Sequence, residues 1–290
     1  MTDVTRVLVT GANGMLGHDV VAEAQSRGHD VVGLARADLD VTDAAAVRTA
    51  VRDASPDVVI NCAAWTDVDG AEEREDEATA VNGTGAGHVA QACAGTGALC
   101  VQVSTDYVFE GHGRAPYVEH DPTAPINAYG RSKLVGEVAV AEAGPRHMIA
   151  RSSWLFGANG RNFVATMLAL GGERDEVRVV SDQLGCPTYT CHLAHALLDL
   201  AASDAYGIHH VAGGGACSWH AFAVEIFKQA GITCRVDPAT TAEMNRAAPR
   251  PAYSVLQSAR ADGVVLPEWR EGLHDYLGEV GRLATDGAPA

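Results

Sequence analysis

Aromatic residues are scarce in this 290-residue chain, at 6%, and bases are outnumbered, with 21 Lys and Arg against 37 Asp and Glu. The formal net charge of −16 argues against general affinity for the nucleic-acid backbone or for anionic lipid. A small phosphorylated ligand stays open, because it needs only a few local N–H groups and one or two bases. No apolar run approaches the ~18 residues of a membrane span. The N-terminus enters a strand pattern with no charged-then-apolar leader, so a cytoplasmic protein is expected. The seven cysteines, at 62, 93, 100, 186, 191, 217 and 234, are odd in number and form no CxxC pair, which favours reduced thiols over a disulfide framework. Neither the 31 glycines nor the 11 prolines gather into a low-complexity tract, and no internal repeat occurs, so collagen-like and disordered chains are excluded.

What is present is 47% hydrophobic residues, enough for one large α/β domain or two modest ones sharing a core. Short apolar runs at Val7–Val9, Val31–Leu34, Val58–Ile60, Leu99–Val103 and Met148–Ala150 alternate with amphipathic stretches. The helical stretches run up to Arg27 and over Asp43–Asp53, Ala71–Ala94 and Asn127–Ala143. Strands apolar on both faces and separated by helices predict a parallel sheet covered on both sides, a doubly wound α/β (Rossmann) fold. Beyond Arg151 the alternation loosens, with helices expected at Asn162–Leu170, His192–Ala202 and Ser218–Ala230. Strands are expected at Val177–Val180 and at Ile208–Val211, the latter returning to the sheet. The expected division is a dinucleotide-binding domain over 1–151 with part of 190–215, a smaller substrate-binding domain over 152–284 interleaved with it, and a frayed tail at 285–290.

Thr10-Gly11-Ala12-Asn13-Gly14-Met15-Leu16-Gly17 lies between the first strand and the first helix. Its glycines allow a tight turn, a bare backbone against a pyrophosphate and close helix–strand packing, and the helix N-terminus offers free N–H groups to phosphate. The GxxGxxG spacing resembles that of short-chain dehydrogenase-type domains. At the end of the second strand an acid reads a ribose 2′-hydroxyl and an arginine accommodates a 2′-phosphate. Arg36 stands there, 19 residues beyond Gly17, and points to NADPH; Asp38 and Asp40 leave NADH open. Tyr129 and Lys133 fall four apart on the opening turns of a helix, on one face. A free tyrosine titrates near ~10, and a neighbouring ammonium favours its phenolate, so Lys133 is expected to tune Tyr129 as an acid–base group. Thr105 follows a strand at its carboxyl end, the edge where open α/β sheets bind ligands, and is placed to hydrogen-bond a substrate carbonyl. That set suits hydride transfer to a ketone, with Tyr129 giving the proton.

TGANGMLG, NCAAWTDVDGAE, STDYVFEG, PINAYGRSKLVGE, RSSWLFG, DQLGCPTY, RPAYSVL and LPEWREGL follow one another from residue 10 to residue 273. Together they resemble the dTDP-4-dehydrorhamnose reductases, extended short-chain dehydrogenase/reductases that make dTDP-L-rhamnose. The resemblance covers nearly the whole chain. It implies a triad of Thr105, Tyr129 and Lys133, with cofactor contacts at Gly14-Met15-Leu16, Arg36, Asp40-Val41 and Ala64-Trp65-Thr66. It implies substrate contacts at Thr105-Asp106 and Trp154, and reduction of dTDP-4-dehydro-6-deoxy-L-mannose at C4 by NADPH. Two departures matter. Where some members bind Mg²⁺ through glutamates, this chain has Asp19 and Cys191, so no metal is expected. Where related dehydratases carry Thr-Asp-Glu, it has Thr105-Asp106-Tyr107 and lacks the acid that eliminates water.

Other clusters have plainer readings. Cys186, Cys191, His192 and His195 match no common zinc spacing. His209 and His210 read as structural, Trp219 and Trp269 as core, and Trp154 alone as ligand-facing. Seven acids between Asp67 and Glu77 read as a solvated helix start. Arg246, Arg250 and Tyr253 sit in a Pro-rich loop, either within reach of a nucleotide's phosphates or simply at the surface. Two further functions remain beside the rhamnose reaction: a 4-ketoreductase of another nucleotide-linked deoxysugar, and a non-catalytic NADP-binding regulatory subunit. A monomer and a homodimer are equally compatible.

Overall fold

The computed structural model describes residues 5–284; the tail reading at 285–290 lies outside the described residues. Six strands form a single parallel sheet: β1 (Arg6–Thr10), β2 (Asp30–Leu34), β3 (Val58–Asn61), β4 (Leu99–Thr105), β5 (His147–Ser152) and β6 (Gly207–His210). Their spatial order is β6-β5-β4-β3-β1-β2, so the chain reverses direction across the sheet at β1. That reversal opens a crevice above the carboxyl ends of β1 and β3.

Period-two alternation decides which helices cover which face. Val7, Val9, Ile60 and Val101 point to one side, where they meet Val20 of α1 (Met15–Ser26) and Leu193 and Leu197 of α5 (Thr190–Ala201). Leu8, Val59, Cys100 and Ile149 point to the other, against Val47 of α2 (Ala44–Ala54), Val89 of α3 (Ala86–Thr96) and Val140 of α4 (Ala128–Ala143). Both faces are buried, and the doubly wound α/β fold read from the sequence is the fold observed. A second core lies apart from the sheet, where Phe156, Phe222, Ile226, Trp269 and Leu273 pack around α6 (Trp219–Ala230). Glu176–Val180 and Arg235–Ala239 pair in parallel beside it. Trp269 is 1% exposed, as a core reading requires.

The single helix expected over Ala71–Ala94 is interrupted. Val68–Glu73 ends at Arg74, whose φ of −132° leaves the helical region, and a new turn runs Glu75–Thr79. A wide π-turn over Ala80–Gly85 then leads into α3. Apolar periodicity passes smoothly through such a turn, so the sequence pattern could not register it. The acidic face here is more than solvated. Glu72 accepts a hydrogen bond from the Ala128 N–H (2.8 Å), Glu75 pairs with Arg131 (2.7 Å), and Asp69 receives the Ala248 N–H (3.0 Å). No helix among the described residues is long and apolar enough to cross a membrane.

Candidate active site

The turn after β1 closes in on its neighbours as a glycine-rich sequence demands. A Cβ on Gly17 would lie 2.2 Å from the Gly11 carbonyl oxygen, and one on Gly11, whose φ is +67°, would lie 2.7 Å from the Ala63 backbone nitrogen. Gly14 occupies the N-cap of α1 and brings no capping side chain, so the helix N–H groups there face the crevice. Two hollows of about 540 and 650 Å³ meet at Gly14, Cys62 and Ala64 to form one cleft. The first is walled by Gly11, Arg36, Asp40, Val41 and Trp65, and the second by Met15, Thr66, Thr105, Asp106, Tyr129 and Lys133. Trp154 closes the far end.

Within the first hollow the two candidate acids are already engaged. Asp40 accepts from the Thr42 N–H (2.9 Å) and hydroxyl (2.8 Å), which hold its carboxyl below the usual range. Asp38 accepts the Ala35 N–H (3.0 Å). Arg36 has neither hydrogen bond nor ion pair among the described residues. Trp65 is fixed from both ends: Asn82 Oδ1 accepts its N–H (2.9 Å), and its indole Nε1 donates to the Asp67 carbonyl (2.9 Å). Asn82 also donates to Ser132 Oγ (2.9 Å), linking this wall to α4. The π-turn is what aims Asn82 at both, and nothing in the local sequence signals it.

The second hollow gathers Thr105, Tyr129 and Lys133. Asn127 caps α4 by accepting the Gly130 N–H (2.7 Å), and its amide donates to the Pro249 carbonyl (2.9 Å). A Cβ on Gly130 would sit 2.2 Å from the Tyr107 carbonyl oxygen, so only glycine lets this helix start press on the turn after β4. The Tyr107 and Tyr129 rings meet edge to face at 5.8 Å. Desolvation pushes the Tyr129 phenol up to about 12, while hydrogen bonding with the Thr105 hydroxyl draws it back and the Asp106 charge raises it further. Lys133 is buried, and desolvation lowers its ammonium to about 8 against the opposing pull of Glu137. Its Nζ donates to the Val103 carbonyl (2.7 Å) rather than to Tyr129, so the tuning of Tyr129 by Lys133 expected from their spacing is not present in this arrangement.

One turn below Lys133, Glu137 forms a buried pair with Arg151 (2.6 Å) and accepts the Ser104 hydroxyl (2.6 Å). Arg151 lies over the Phe109 ring at 5.1 Å. Desolvation raises the Asp106 carboxyl to about 7, the neighbouring Ser254 and Thr105 hydroxyls opposing it.

Trp219, read from sequence as core, packs against the second core and also lines the cleft. Its ring stacks on Trp154 at 3.5 Å and 6°, and Trp154 takes φ +48°, a left-handed backbone that bulky side chains avoid. A Cβ on Gly185 would strike the Trp154 ring at 2.4 Å, so glycine makes room beneath it. Arg161 also reaches the cleft lining and was not singled out from sequence. Arg246 and Arg250 are absent from both hollows and pair with Asp69 at 3.6 and 3.1 Å. Tyr253 packs beside Tyr117 and Leu256. His192 bonds Asp275 (2.9 Å) and His195 bonds Glu23 (2.9 Å), with no cluster of three or more His, Cys, Asp or Glu arranged to hold a metal among the described residues. His210 bonds the Tyr117 and Gln257 carbonyls, in keeping with a structural role. Asp19 and Cys191 stand close together, and Asp19 Oδ1 accepts from Asn159 (3.3 Å).

The chain is similar to known proteins over nearly its whole length. A protein named dTDP-4-dehydrorhamnose reductase from Streptomyces griseus is 48% identical over 291 residues, covering 96% of this chain and 96% of its own length. A Streptomyces niveus protein named dTDP-4-keto-6-deoxy-D-glucose reductase is 43% identical over 88% of this chain and 89% of its own. A crystal structure of dTDP-4-dehydrorhamnose reductase from Bacillus anthracis str. Ames, in complex with NADP, superposes with a TM-score of 0.93 at 41% identity over 95% of this chain and 99% of that one. The pattern of the family described as RmlD substrate binding domain matches residues 5–282, and the chain belongs to that family.

Proposed function

We propose that this chain is an NADPH-dependent oxidoreductase that reduces the C4 ketone of dTDP-4-dehydro-6-deoxy-L-mannose to give dTDP-L-rhamnose. The observation that carries the reading is the continuity of the cleft: the uncapped start of α1 and the Thr105, Tyr129 and Lys133 side chains line one space. The residues present fit a 2′-phosphorylated dinucleotide. The Gly11–Gly17 turn offers close backbone approach, α1 offers N–H groups to a pyrophosphate, and Arg36 is a cation with no hydrogen bond or ion pair among the described residues. Gly11, Gly14, Met15, Leu16 and Gly17 would hold the pyrophosphate side. Arg36, Asp40 and Val41 would hold the adenosine side, and Ala64, Trp65 and Thr66 the stretch between. When bound, NADPH supplies the hydride to C4.

The protein supplies the proton and the geometry. Tyr129 gives its phenolic proton to the C4 oxygen as charge develops there, and the Thr105 hydroxyl orients that oxygen. A tyrosine held near 12 is protonated at neutral pH and is therefore loaded as an acid. Lys133 would bind the nicotinamide ribose, while Thr105 and Asp106 are the groups that act on Tyr129. Asp106 and Trp154 would contact the sugar nucleotide. Residues 5–151 with part of 190–215 would bind cofactor, and most of 152–284 would bind substrate. Tyr107 in place of a glutamate removes the acid a dehydratase needs, so reduction is preferred over elimination.

A second reading, reduction of a different nucleotide-linked 4-keto-deoxysugar, is favoured by the Streptomyces niveus relative, whose name specifies another 4-keto sugar. The test is NADPH oxidation by purified protein given dTDP-4-dehydro-6-deoxy-L-mannose, with product identified by chromatography. Turnover to dTDP-L-rhamnose is expected, falling roughly 10²–10⁴-fold in Tyr129→Phe while NADPH still binds. NADPH binding without turnover of this sugar overturns the rhamnose reading and directs the assay to other 4-keto sugars. Indifference to Tyr129→Phe would point to a regulatory subunit.

A further inference from the structure

Asp106 is 2% exposed and lies in the lining of the catalytic hollow; its Oδ2 makes no hydrogen bond, the nearby Ser254 hydroxyl being turned to the Leu184 carbonyl (3.5 Å). A buried carboxylate left half-unsatisfied is costly, and holding a proton relieves that cost. Its other oxygen, Oδ1, accepts the Thr105 hydroxyl at 3.0 Å, and that same hydroxyl lines the hollow with Tyr129, near enough to draw the phenol's proton affinity down. Thr105 Oγ1 also accepts the Tyr107 N–H (3.2 Å), which fixes its position. Thr105 has one hydroxyl proton and two neighbours that can receive it. With Asp106 ionised, that proton points to Asp106. With Asp106 neutral, the carboxyl donates to Thr105, and Thr105 can donate to Tyr129.

We propose that Asp106 is the proton reservoir of this site, reloading Tyr129 through the Thr105 hydroxyl after each turnover. The inference rests on Tyr129 acting as the proton donor. The step balances with no change of oxidation state: the Asp106 O–H bond breaks as its proton joins Thr105 Oγ1, and the original Thr105 proton moves to the Tyr129 phenolate. Neutral Tyr129 and an Asp106 carboxylate result, and the carboxylate regains a proton from water in the cleft. Tyr107 from its own turn, Tyr129 from α4, Cys186 and Ser254 surround Asp106. Arg250 and Asp69 act on Tyr107. With a carboxyl that titrates at about 7, the reservoir is loaded below that pH and empties above it.

Rapid mixing of the protein with NADPH and dTDP-4-dehydro-6-deoxy-L-mannose separates the first turnover, which uses the proton already on Tyr129, from later ones. In Asp106→Asn, which keeps an acceptor for Thr105 but holds no transferable proton, the ratio of steady-state to first-turnover rate is expected to fall about tenfold or more. The wild-type kcat is expected to decline as pH rises through about 7, and this decline to vanish in the variant. Thr105→Ser keeps the relay hydroxyl and should retain the ratio, whereas Thr105→Val should lose it, so the test survives if Asp106→Asn does not fold. An unchanged ratio and pH profile, or first-turnover and steady-state rates falling together with a raised KM for the sugar, overturns the reservoir and leaves Asp106 a substrate contact. Undiminished turnover in Tyr129→Phe removes the donor assignment itself, and so distinguishes that failure from failure of the relay.

Discussion

Arg36 shows how much one side chain can settle. The neighbouring acids that would read a ribose 2′-hydroxyl are spent on Thr42 and Ala35, and Arg36, whose charge acts on Asp40, makes no hydrogen bond or ion pair of its own among the described residues. A 2′-phosphate would give it a charge-assisted contact of about 1.5–3 kcal/mol. Arg36→Ala should therefore weaken NADPH binding by roughly 10–100-fold and leave NADH binding nearly as it was, as measured by quenching of protein fluorescence. Equal losses for both cofactors would remove the 2′-phosphate role. The choice was legible in sequence only as a leaning, because Asp38 and Asp40 stand as close in the chain as Arg36. Their engagement lies within their own turn, in side-chain contacts that residue spacing alone does not reveal. Lys133 carries the same lesson: the four-residue spacing puts it on the face of Tyr129, but its hydrogen bond goes to Val103 of the adjacent strand.

At the scale of elements, α4 joins the catalytic hollow to the sheet. Its first turn carries Tyr129, its second Lys133, and its third Glu137, which neutralises Arg151 at the carboxyl end of β5. Both partners of this pair are under 5% exposed. Removing one charge strands the other in a medium that solvates it poorly. Glu137→Gln should cost about 3–5 kcal/mol in urea unfolding, and a loss within ~1 kcal/mol would show that water reaches the pair. The start of α6 contributes differently, by placing Trp219 flat against Trp154. Such a stack is worth about 0.5–1.5 kcal/mol, so Trp219→Ala should raise KM for the sugar nucleotide some three- to tenfold while leaving NADPH affinity intact. A change in NADPH affinity instead would place the stack on the cofactor side. The sequence reading took Trp219 as core because an indole at the start of an apolar helix looks buried; one side of it does pack on that core, and its half-buried ring also reaches the cleft.

The whole molecule has two principal regions of packing, the sheet with its two helical layers and the aromatic cluster around α6, with the cleft lined from both. Residues 248–257 tie them together. Ala248 bonds Asp69, Pro249 accepts from Asn127, Tyr253 bonds Gly111, and Ser254 bonds Leu184. A ligand that binds only the folded chain stabilises it by mass action. NADPH at a hundred times its Kd should contribute about 2.7 kcal/mol and raise the melting temperature by roughly 5 °C. Calorimetry with and without NADPH checks this, and a melting temperature insensitive to saturating NADPH would contradict cofactor binding by the folded protein.

The sequence by itself determined the parallel sheet, its helical cover and the positions of the glycine turn, Thr105, Tyr129 and Lys133. These are local facts: strand and helix periods are written in adjacent residues, and a turn that needs bare backbone can be made only of glycine. Tertiary structure decided everything that depends on residues far apart in the chain. It broke the helix expected at 71–94 at Arg74 and widened it into a π-turn so that Asn82 meets Trp65 and Ser132, and it turned Asp69 and Glu72 from solvated acids into anchors for Ala248 and Ala128. It also buried Asp106 beside Thr105 and Tyr129, where the loss of water, absent from any local sequence pattern, sets the proton affinity of the carboxyl.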